Sequence, residues 1–310
     1  MISCKDFIPV YSEVFCYLES HFGRQEVDNY WDAIFKVNAA KKSPLLVCLE
    51  KEGLKGCFTY WNGTLNEEAA DFTMYLNEKR GFYKLDMHRC PSKGRLVDLQ
   101  EQVGLKPYPD YCLHCDGYRN ACKEVGLDYI YNFQGMDKAS CSIFIYDPKV
   151  FDGRIIMDED TQVMHRDATD NEYYHPSFHR SLNNGLHYVG QTHGEAGILE
   201  IMSNYVNRVV KPLMGEVTLA SIEKMILEDY AKEKASDAVT TNLTENGLTV
   251  SVRYCPAVKF MVETDVPVSP WYQYATTGVM AELAKLAGCA FVMDSYDDQT
   301  GAAEYHFTKN

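Results

Sequence analysis

The chain has 310 residues, of which 46% are hydrophobic and 24% are charged, and its net charge is −14 at pH 7. It is long enough for two cores, because single hydrophobic cores usually stop growing at about 250–300 residues. The negative charge repels phosphate backbones and disfavours nucleic acid as a partner. No apolar run approaches the roughly 20 residues of a bilayer span, which excludes a membrane helix.

The N-terminal residues argue against a secretory signal. Lys5, Asp6 and Glu13 interrupt the zone where a signal peptide would keep an apolar stretch. We therefore predict a cytoplasmic protein. Its 11 cysteines would then be reduced thiols, because cytosolic redox buffers keep them so, and the odd number fits poorly with a disulfide framework.

The first predicted elements are helices. Apolar residues recur at three- and four-residue intervals in residues 10–18 and 27–34, which is the spacing of one buried helix face. Thr64 and Glu67 have the spacing of a capping box, which predicts a helix from there through Leu76.

The second half of the chain repeats the first. Residues 76–96, LNEKRGFYKLDMHRCPSKGRL, and 243–261, LTENGLTVSVRYCPAVKFM, each contain a polar turn, an alternating apolar run and Cys-Pro. The alternation predicts a strand. In each copy a helix closed by Gly126 or Gly288 follows, and then a strand hairpin.

This order predicts an α/β protein of the α+β type, with two repeated units in which helices pack on a small antiparallel sheet. We place the N-terminal repeat at 1–150, a polar linker at 151–178 and a degenerate C-terminal repeat at 179–310. Two such copies are expected to pack as a pseudo-dimer, and a homo-oligomer is a further candidate assembly.

The main candidate site is a predicted helix over residues 111–125, within YPDYCLHCDGYRNACKEVG. Four side chains at three- and four-residue intervals would form one continuous stripe along this helix: Cys112, Cys115, Arg119 and Cys122. In the strand before it, His88 alternates with the apolar face.

Three interpretations of these thiols stay open. Zinc prefers sulfur and imidazole ligands in a tetrahedron, and one C-x-x-C pair commonly supplies two of them. The candidate ligands of such a site are Cys90, Cys112, Cys115 and Cys141, with His114 as a substitute for one thiol. Without metal, Cys112 or Cys115 would be a nucleophile whose pKa is lowered by the helix N-terminus and by His114 or Arg119.

The third interpretation is packing, since free cysteine is often buried as a small hydrophobe. In the second copy the positions that match Cys112, Cys115, Cys122 and Cys141 hold Tyr274, Thr277, Ala284 and Ala303. Small residues mostly suffice there, which favours packing for Cys122. The second copy also lacks both members of the C-x-x-C pair and the histidine, as expected if only the first copy keeps a site.

Histidines concentrate between residues 165 and 193, where five of the nine lie: His165, His175, His179, His187 and His193. His175 and His179 have metal-ligand spacing, but Pro176 favours a turn there and a solvated linker is the simpler interpretation. His21 and Gly23 in the first copy match His193 and Gly194 in the second, and a histidine close before a glycine is typical of a helix C-terminus.

The motifs HFGRQEVDNYW, RCP, YCLHCDGYRNACKEVGLDYIYNF and CSIFIY resemble the L-2-amino-thiazoline-4-carboxylic acid hydrolase family. The resemblance covers about residues 10 to 146. It implies hydrolytic opening of a cyclic C=N or C–N bond, with Cys112, His114 and Cys115 as the matching motif residues. At the level of the fold, the chain is also similar to the small-ligand-binding domain of the vinyl-reductase and transport-particle group.

We therefore expect a hydrolase that opens a cyclic C–N or C=N bond of a small substrate in the N-terminal repeat. The predicted catalytic residues are Cys112, His114 and Cys115, and the predicted substrate-binding residues are His88, Arg119 and Tyr111. Zinc is a candidate cofactor. The alternative is a non-catalytic small-ligand-binding or sensor protein whose thiols are structural or hold a structural zinc.

Overall fold

A computed structural model describes residues 1–40, 43–167 and 172–309. The chain divides into two compact units. Unit 1 contains Met1–Glu26, Leu99–Tyr108 and Tyr174–Asn310, and unit 2 contains Val27–Asp98 and Pro109–Tyr173. The units do not follow the predicted 1–150 and 179–310 boundaries, because the N-terminal helix groups with the C-terminal part of the chain.

Unit 2 consists of helices followed by a sheet. Its elements, two of which begin or end in unit 1, are α2 (Arg24–Ala40), α3 (Pro44–Glu52), α4 (Lys55–Glu67), β1 (Asp71–Asn77), β2 (Phe82–Arg89), α5 (Pro91–Val103), a 3₁₀ helix (Tyr111–Gly117), α6 (Tyr118–Glu124), β3 (Asp128–Asn132), β4 (Cys141–Tyr146) and β5 (Gln162–Arg166). Ser43 caps α3, since its hydroxyl accepts a hydrogen bond from the Leu46 N–H at 3.2 Å and Pro44 occupies the first turn.

The sheet of unit 2 has the strand order β3-β4-β2-β1-β5, and neighbouring strands are antiparallel. Met74 on β1 lies opposite Leu85 on β2, which in turn lies opposite Ile143 on β4. These side chains share one buried face with Trp61 of α4. The other face carries the alternate residues of each strand, and it bears one of the candidate sites below.

Two expectations for this region differ from the structure. The predicted helix from Thr64 to Leu76 is wrong: α4 ends at Glu67, and residues 71–77 form β1, in which every second residue, Phe72, Met74 and Leu76, is apolar and buried. The segment 151–178, expected to be a polar linker, contributes β5, which pairs with β1.

Unit 1 contains a second set of elements: α1 (Phe7–Phe22), α7 (Ser177–Tyr205), a π-helical turn (Val206–Val210), α8 (Lys211–Met214), α9 (Leu219–Lys232), β6 (Val239–Leu243), β7 (Gly247–Val252), α10 (Pro256–Glu263), α11 (Tyr274–Leu286), β8 (Cys289–Tyr296) and β9 (Ala303–Lys309). Its sheet has the order β6-β7-β9-β8, and all three pairings are antiparallel.

The two sheets share one topology. When β1, β2, β3 and β4 are matched to β6, β7, β8 and β9, both sheets read in the same strand order. The glycines predicted to correspond also match: Gly23 follows α1 with φ 85°, and Gly194 kinks α7 with φ 76°. The predicted α+β class is thus confirmed, with two antiparallel sheets, while the pseudo-dimer arrangement stays a prediction.

In the described part of the chain, none of the helices combines the length and the apolar character needed to cross a membrane.

Candidate functional site

The predicted thiol helix is only partly α-helical. Residues Tyr111–Gly117 form a 3₁₀ helix, and α6 begins at Tyr118. In a 3₁₀ helix side chains three apart eclipse one another, so Cys112 and Cys115 lie on the same edge. Gly117 ends this turn against the ring of Phe35, where a Cβ atom would clash.

The four candidate cysteines are buried or half-buried against the core of unit 2. Cys112 is buried, and the side chains of Cys90, Cys115 and Cys141 pack on the hydrophobic cluster. Each of Cys90, Cys112 and Cys115 feels the charge that its neighbours would carry as thiolates. The structure thus places in one region four residues that are up to about fifty positions apart in the sequence.

The electrostatics of these thiols disfavour a nucleophile. Burial raises the pKa of Cys112 to about 11, and burial together with the neighbouring thiols raises the pKa of Cys115 well above its ordinary value. A thiolate, not a thiol, is the attacking species. Both side chains are therefore protonated at neutral pH.

His114 is the second half of a Cys–His pair. Its Nδ1 lies 2.5 Å from the carbonyl oxygen of Tyr111, and its Nε2 lies 3.5 Å from Cys115 Sγ. A carbonyl can only accept, so Nδ1 carries the proton and Nε2 accepts from the Cys115 thiol. Burial lowers the pKa of His114 to about 4, which keeps the imidazole neutral.

The other two predicted anchors at this helix are engaged within the fold. Arg119 pairs with Asp116 at 2.7 Å and donates to the carbonyl oxygen of Tyr129 at 2.8 Å. The Tyr129 hydroxyl donates to the carbonyl oxygen of Cys115 at 3.1 Å. Arg119 and Tyr129 together therefore connect the 3₁₀ turn to β3. Tyr111 is buried, and its ring centroid is 4.9 Å from that of His114.

The Cys-Pro pair that both repeats share serves the helix that follows it. Cys90 Sγ accepts a hydrogen bond from the Lys93 N–H at 3.4 Å, at the start of α5. In the second copy Cys255 occupies the N-cap position of α10 without a capping hydrogen bond from its side chain, and Pro256 occupies the first turn. In both copies the proline therefore starts the helix, and the Cys90 thiol also accepts a hydrogen bond from its first turn.

Metal-ligand geometry occurs at a different place. Among the described residues, one group of three metal-binding side chains has its ligand atoms within 4.8 Å of one another: Asp71, His88 and His165. No thiol belongs to this group. The set Cys90, Cys112, Cys115 and Cys141 thus lacks the close mutual approach of a tetrahedral zinc site.

Thr73 lies at the centre of this second cluster. Its hydroxyl is 2.7 Å from His88 Nε2 and 2.9 Å from His165 Nδ1. Thr73 and His165 are direct partners in the β1–β5 register. The three polar side chains point to the face of the sheet opposite the core, where both histidines are exposed.

Of this cluster, the sequence predicted a site role only for His88, whereas His165 was named among the histidines of the expected linker. A local signal existed in DFTMYLN (71–77), where Asp71 and Thr73 alternate with Phe72 and Met74 and so share the face opposite the core. The missing piece was His165, because its strand lies in the segment predicted to be a linker and its pairing with β1 is non-local.

The remaining histidines of residues 165–193 all belong to unit 1, and two of them contact carboxylates. His179 is buried and its Nε2 is 2.8 Å from Glu233, and His193 Nε2 is 2.9 Å from Glu26. His175 is also buried, but it and His179 do not form a three-ligand metal group in the described chain.

A groove of about 530 Å³ lies elsewhere in unit 2, with Leu49, Leu54 and Leu127 among its apolar lining and Glu52 and Asp147 among its charged lining. None of the predicted site residues lines it. The groove therefore gives no support to the thiol helix as a reaction centre.

No protein-family model, curated protein or solved structure matches the chain. The family resemblance of the motifs therefore stays a prediction.

Proposed function

We propose that the chain is a non-catalytic binding protein for a small ligand, with thiols that stabilise the core of unit 2. The ligand is held on the solvent-facing side of the sheet, by Asp71, Thr73, His88 and His165. One observation carries this proposal: polar atoms from β1, β2 and β5 converge there, although Thr73 and His165 are 92 residues apart. Small-molecule sites use a few convergent polar groups of this kind.

The charges of the cluster indicate the ligand's chemistry. Imidazole N–H groups donate to a carboxylate, and the Asp71 carboxylate accepts from a cation or an amidine. A small molecule with a carboxylate at one end and an amidine-like group at the other complements both. L-2-Amino-thiazoline-4-carboxylate carries both groups and is therefore a suitable probe.

Calorimetric titration of the full chain with L-2-amino-thiazoline-4-carboxylate tests the proposal. We expect binding without turnover, with affinity reduced in His88→Ala and His165→Ala and unchanged in Cys115→Ser. His306→Ala is the matched control, because His306 is a strand histidine 2.7 Å from Asp294 outside the cluster. Absence of binding to the unaltered chain, or equal loss in the control, contradicts the proposal.

The second candidate is the predicted hydrolase, which the 3.5 Å contact between Cys115 Sγ and His114 Nε2 favours. A thiol that donates to a neutral imidazole is one proton transfer away from the thiolate–imidazolium pair of cysteine hydrolases. Proton transfer from Cys115 to His114 would then require a bound substrate whose charge stabilises the resulting ion pair.

Release of the ring-opened product from the same probe distinguishes the two candidates. Turnover that disappears in both Cys115→Ala and His114→Ala, while circular dichroism shows folded variants, assigns hydrolysis to the Cys–His pair. Turnover retained in both variants removes these residues from the mechanism.

A further inference from the structure

We propose that Asp71, His88 and His165 bind one divalent transition-metal ion. Their three ligand atoms lie within 4.8 Å of one another, as required for side chains that share one ion. The inference rests on the proposed function, since it places the metal on the same sheet face and makes it the anchor of the small ligand.

The Asp71 carboxylate provides an independent reason for a ligand. Its Oδ1 is inaccessible to solvent and has no hydrogen-bond partner among the described residues. An unpaired buried carboxylate oxygen is unfavourable, because its lost hydration is not replaced. A cation held between this oxygen and the two imidazoles would compensate for the lost hydration.

The backbone is built to bring His88 into the cluster. Between β1 and β2, Asp71 pairs with Arg89 and Phe72 with Met87, so His88 is the extra residue of a β-bulge. Bulges redirect a side chain and are frequent beside functional sites. On the other side of β1, regular pairing places His165 directly beside Thr73.

The donor set indicates which ion binds. Two imidazoles and one carboxylate suit zinc, iron, cobalt or nickel rather than calcium or magnesium, which prefer oxygen ligands. Three protein ligands leave coordination positions open to water or to an incoming carboxylate. This is how the metal would hold the small ligand.

The basic side chains of β2 do not oppose a cation. Lys84 is paired with Asp86 at 2.6 Å and Arg89 with Asp98 at 2.6 Å, so the two basic side chains of β2 are neutralised. His88 and His165 are exposed, which gives an ion direct access from solvent. The Thr73 hydroxyl contacts both imidazoles and makes Thr73 a positioning residue.

Titration of the tag-free full chain with Co²⁺, followed by calorimetry and absorption, tests the site. We expect one ion per chain, weak visible bands and no intense near-ultraviolet thiolate band. Asp71→Asn, His88→Ala and His165→Ala should each weaken binding at least ~100-fold, since losing an outer-shell partner alone costs roughly 10–100-fold. Thr73→Val should weaken it by roughly that smaller factor.

Two control variants should leave Co²⁺ affinity unchanged: His306→Ala, which removes a surface histidine, and Cys115→Ser, which removes a thiol. Three results overturn the inference: no Co²⁺ binding by the unaltered chain, a thiolate band abolished by Cys115→Ser, or equal weakening in His306→Ala. Circular dichroism of each variant separates loss of the ion from loss of the fold.

The metal inference and the proposed function fail separately. If Co²⁺ does not bind but L-2-amino-thiazoline-4-carboxylate still binds in a His88-dependent way, only the metal is removed. If Co²⁺ binds as expected and the amino-thiazoline does not bind to the metal-loaded chain, the site is a metal centre and the proposed ligand class is wrong.

Discussion

Cys115 Sγ lies 3.5 Å from His114 Nε2, and the hydrogen bond between them runs from the thiol to the imidazole. The direction follows from His114 Nδ1, which faces the Tyr111 carbonyl at 2.5 Å and must be the protonated nitrogen. The pair is therefore neutral in the folded chain. A Cys–His motif in the sequence does not by itself specify an activated nucleophile.

Alkylation rates provide a test of this neutral state. With a pKa of about 11, Cys112 should react with iodoacetamide at pH 7.5 roughly 300-fold more slowly than an unperturbed cysteine, because only the thiolate attacks. The rate should rise about tenfold per pH unit up to pH 10. Mass spectrometry of the modified peptide measures it, with the guanidinium-unfolded chain as reference. A fast reaction that levels off near pH 8 contradicts the structure.

His114 should make the fold sensitive to acid. Burial lowers its pKa to about 4, whereas the unfolded chain has the ordinary value of about 6.5, so the unfolded state binds the extra proton between these values. The contribution of neutral His114 to the free energy of unfolding should be fully present above about pH 6.5. It should fall by up to ~3 kcal/mol as the pH drops from about 6.5 to about 4.

Urea unfolding across that pH range, compared between the unaltered chain and His114→Gln, isolates this contribution. The variant should lose the slope between about pH 4 and 6.5, since glutamine does not titrate. An unchanged slope in the variant would mean that other groups cause the acid sensitivity.

Two glycines of one helix should respond in opposite ways to alanine. A Cβ at Gly56 would clash with the main chain of Cys48 and Leu49, where helices α3 and α4 meet, whereas a Cβ at Gly63 meets open space. Gly56→Ala should destabilise unit 2 by roughly 1–3 kcal/mol or more through overpacking. Gly63→Ala should stabilise it by about 0.5–1 kcal/mol through helix propensity.

Thermal and urea unfolding of the two alanine variants measures the difference. Both variants carry the same substitution in the same helix. Equal changes in their free energy of unfolding would therefore show that the close approach of α3 and α4 is absent.

The buried pair of His179 and Glu233 should be essential to unit 1. The two side chains are 2.8 Å apart and almost fully buried, and Glu233 also accepts from the Cys4 N–H at 2.5 Å. Burial alone would raise the pKa of Glu233, but these hydrogen bonds hold it below its usual value. Glu233→Ala should cost roughly 3–5 kcal/mol, because it leaves a buried partner unpaired.

The exposed pair of His306 and Asp294, which are 2.7 Å apart, is the control for that substitution. Asp294→Ala should change the free energy of unfolding by about 0–1 kcal/mol. Similar losses at both pairs would contradict the assigned burial.

The local part of the fold was predictable. Strict alternation in residues 83–87 specified β2 and its buried face, and Cys-Pro marked the strand end and the next helix in both halves. The same local rules failed for Thr64, whose hydroxyl donates to the Tyr60 carbonyl inside α4 instead of starting a helix. A capping pattern can occur near the start or near the end of a helix. Here the alternating apolar residues that follow, in 71–77, indicate the end.

The sequence by itself determined the α+β class, the repeated order of elements and the clustering of thiols, because periodicity and Pro or Gly positions act over a few residues. Tertiary structure decided the state of that cluster: burial beside other thiols, which the sequence does not encode locally, sets the protonation of Cys115. It also decided that His165 joins Thr73 and His88, since pairing between strands 92 residues apart depends on the whole sheet.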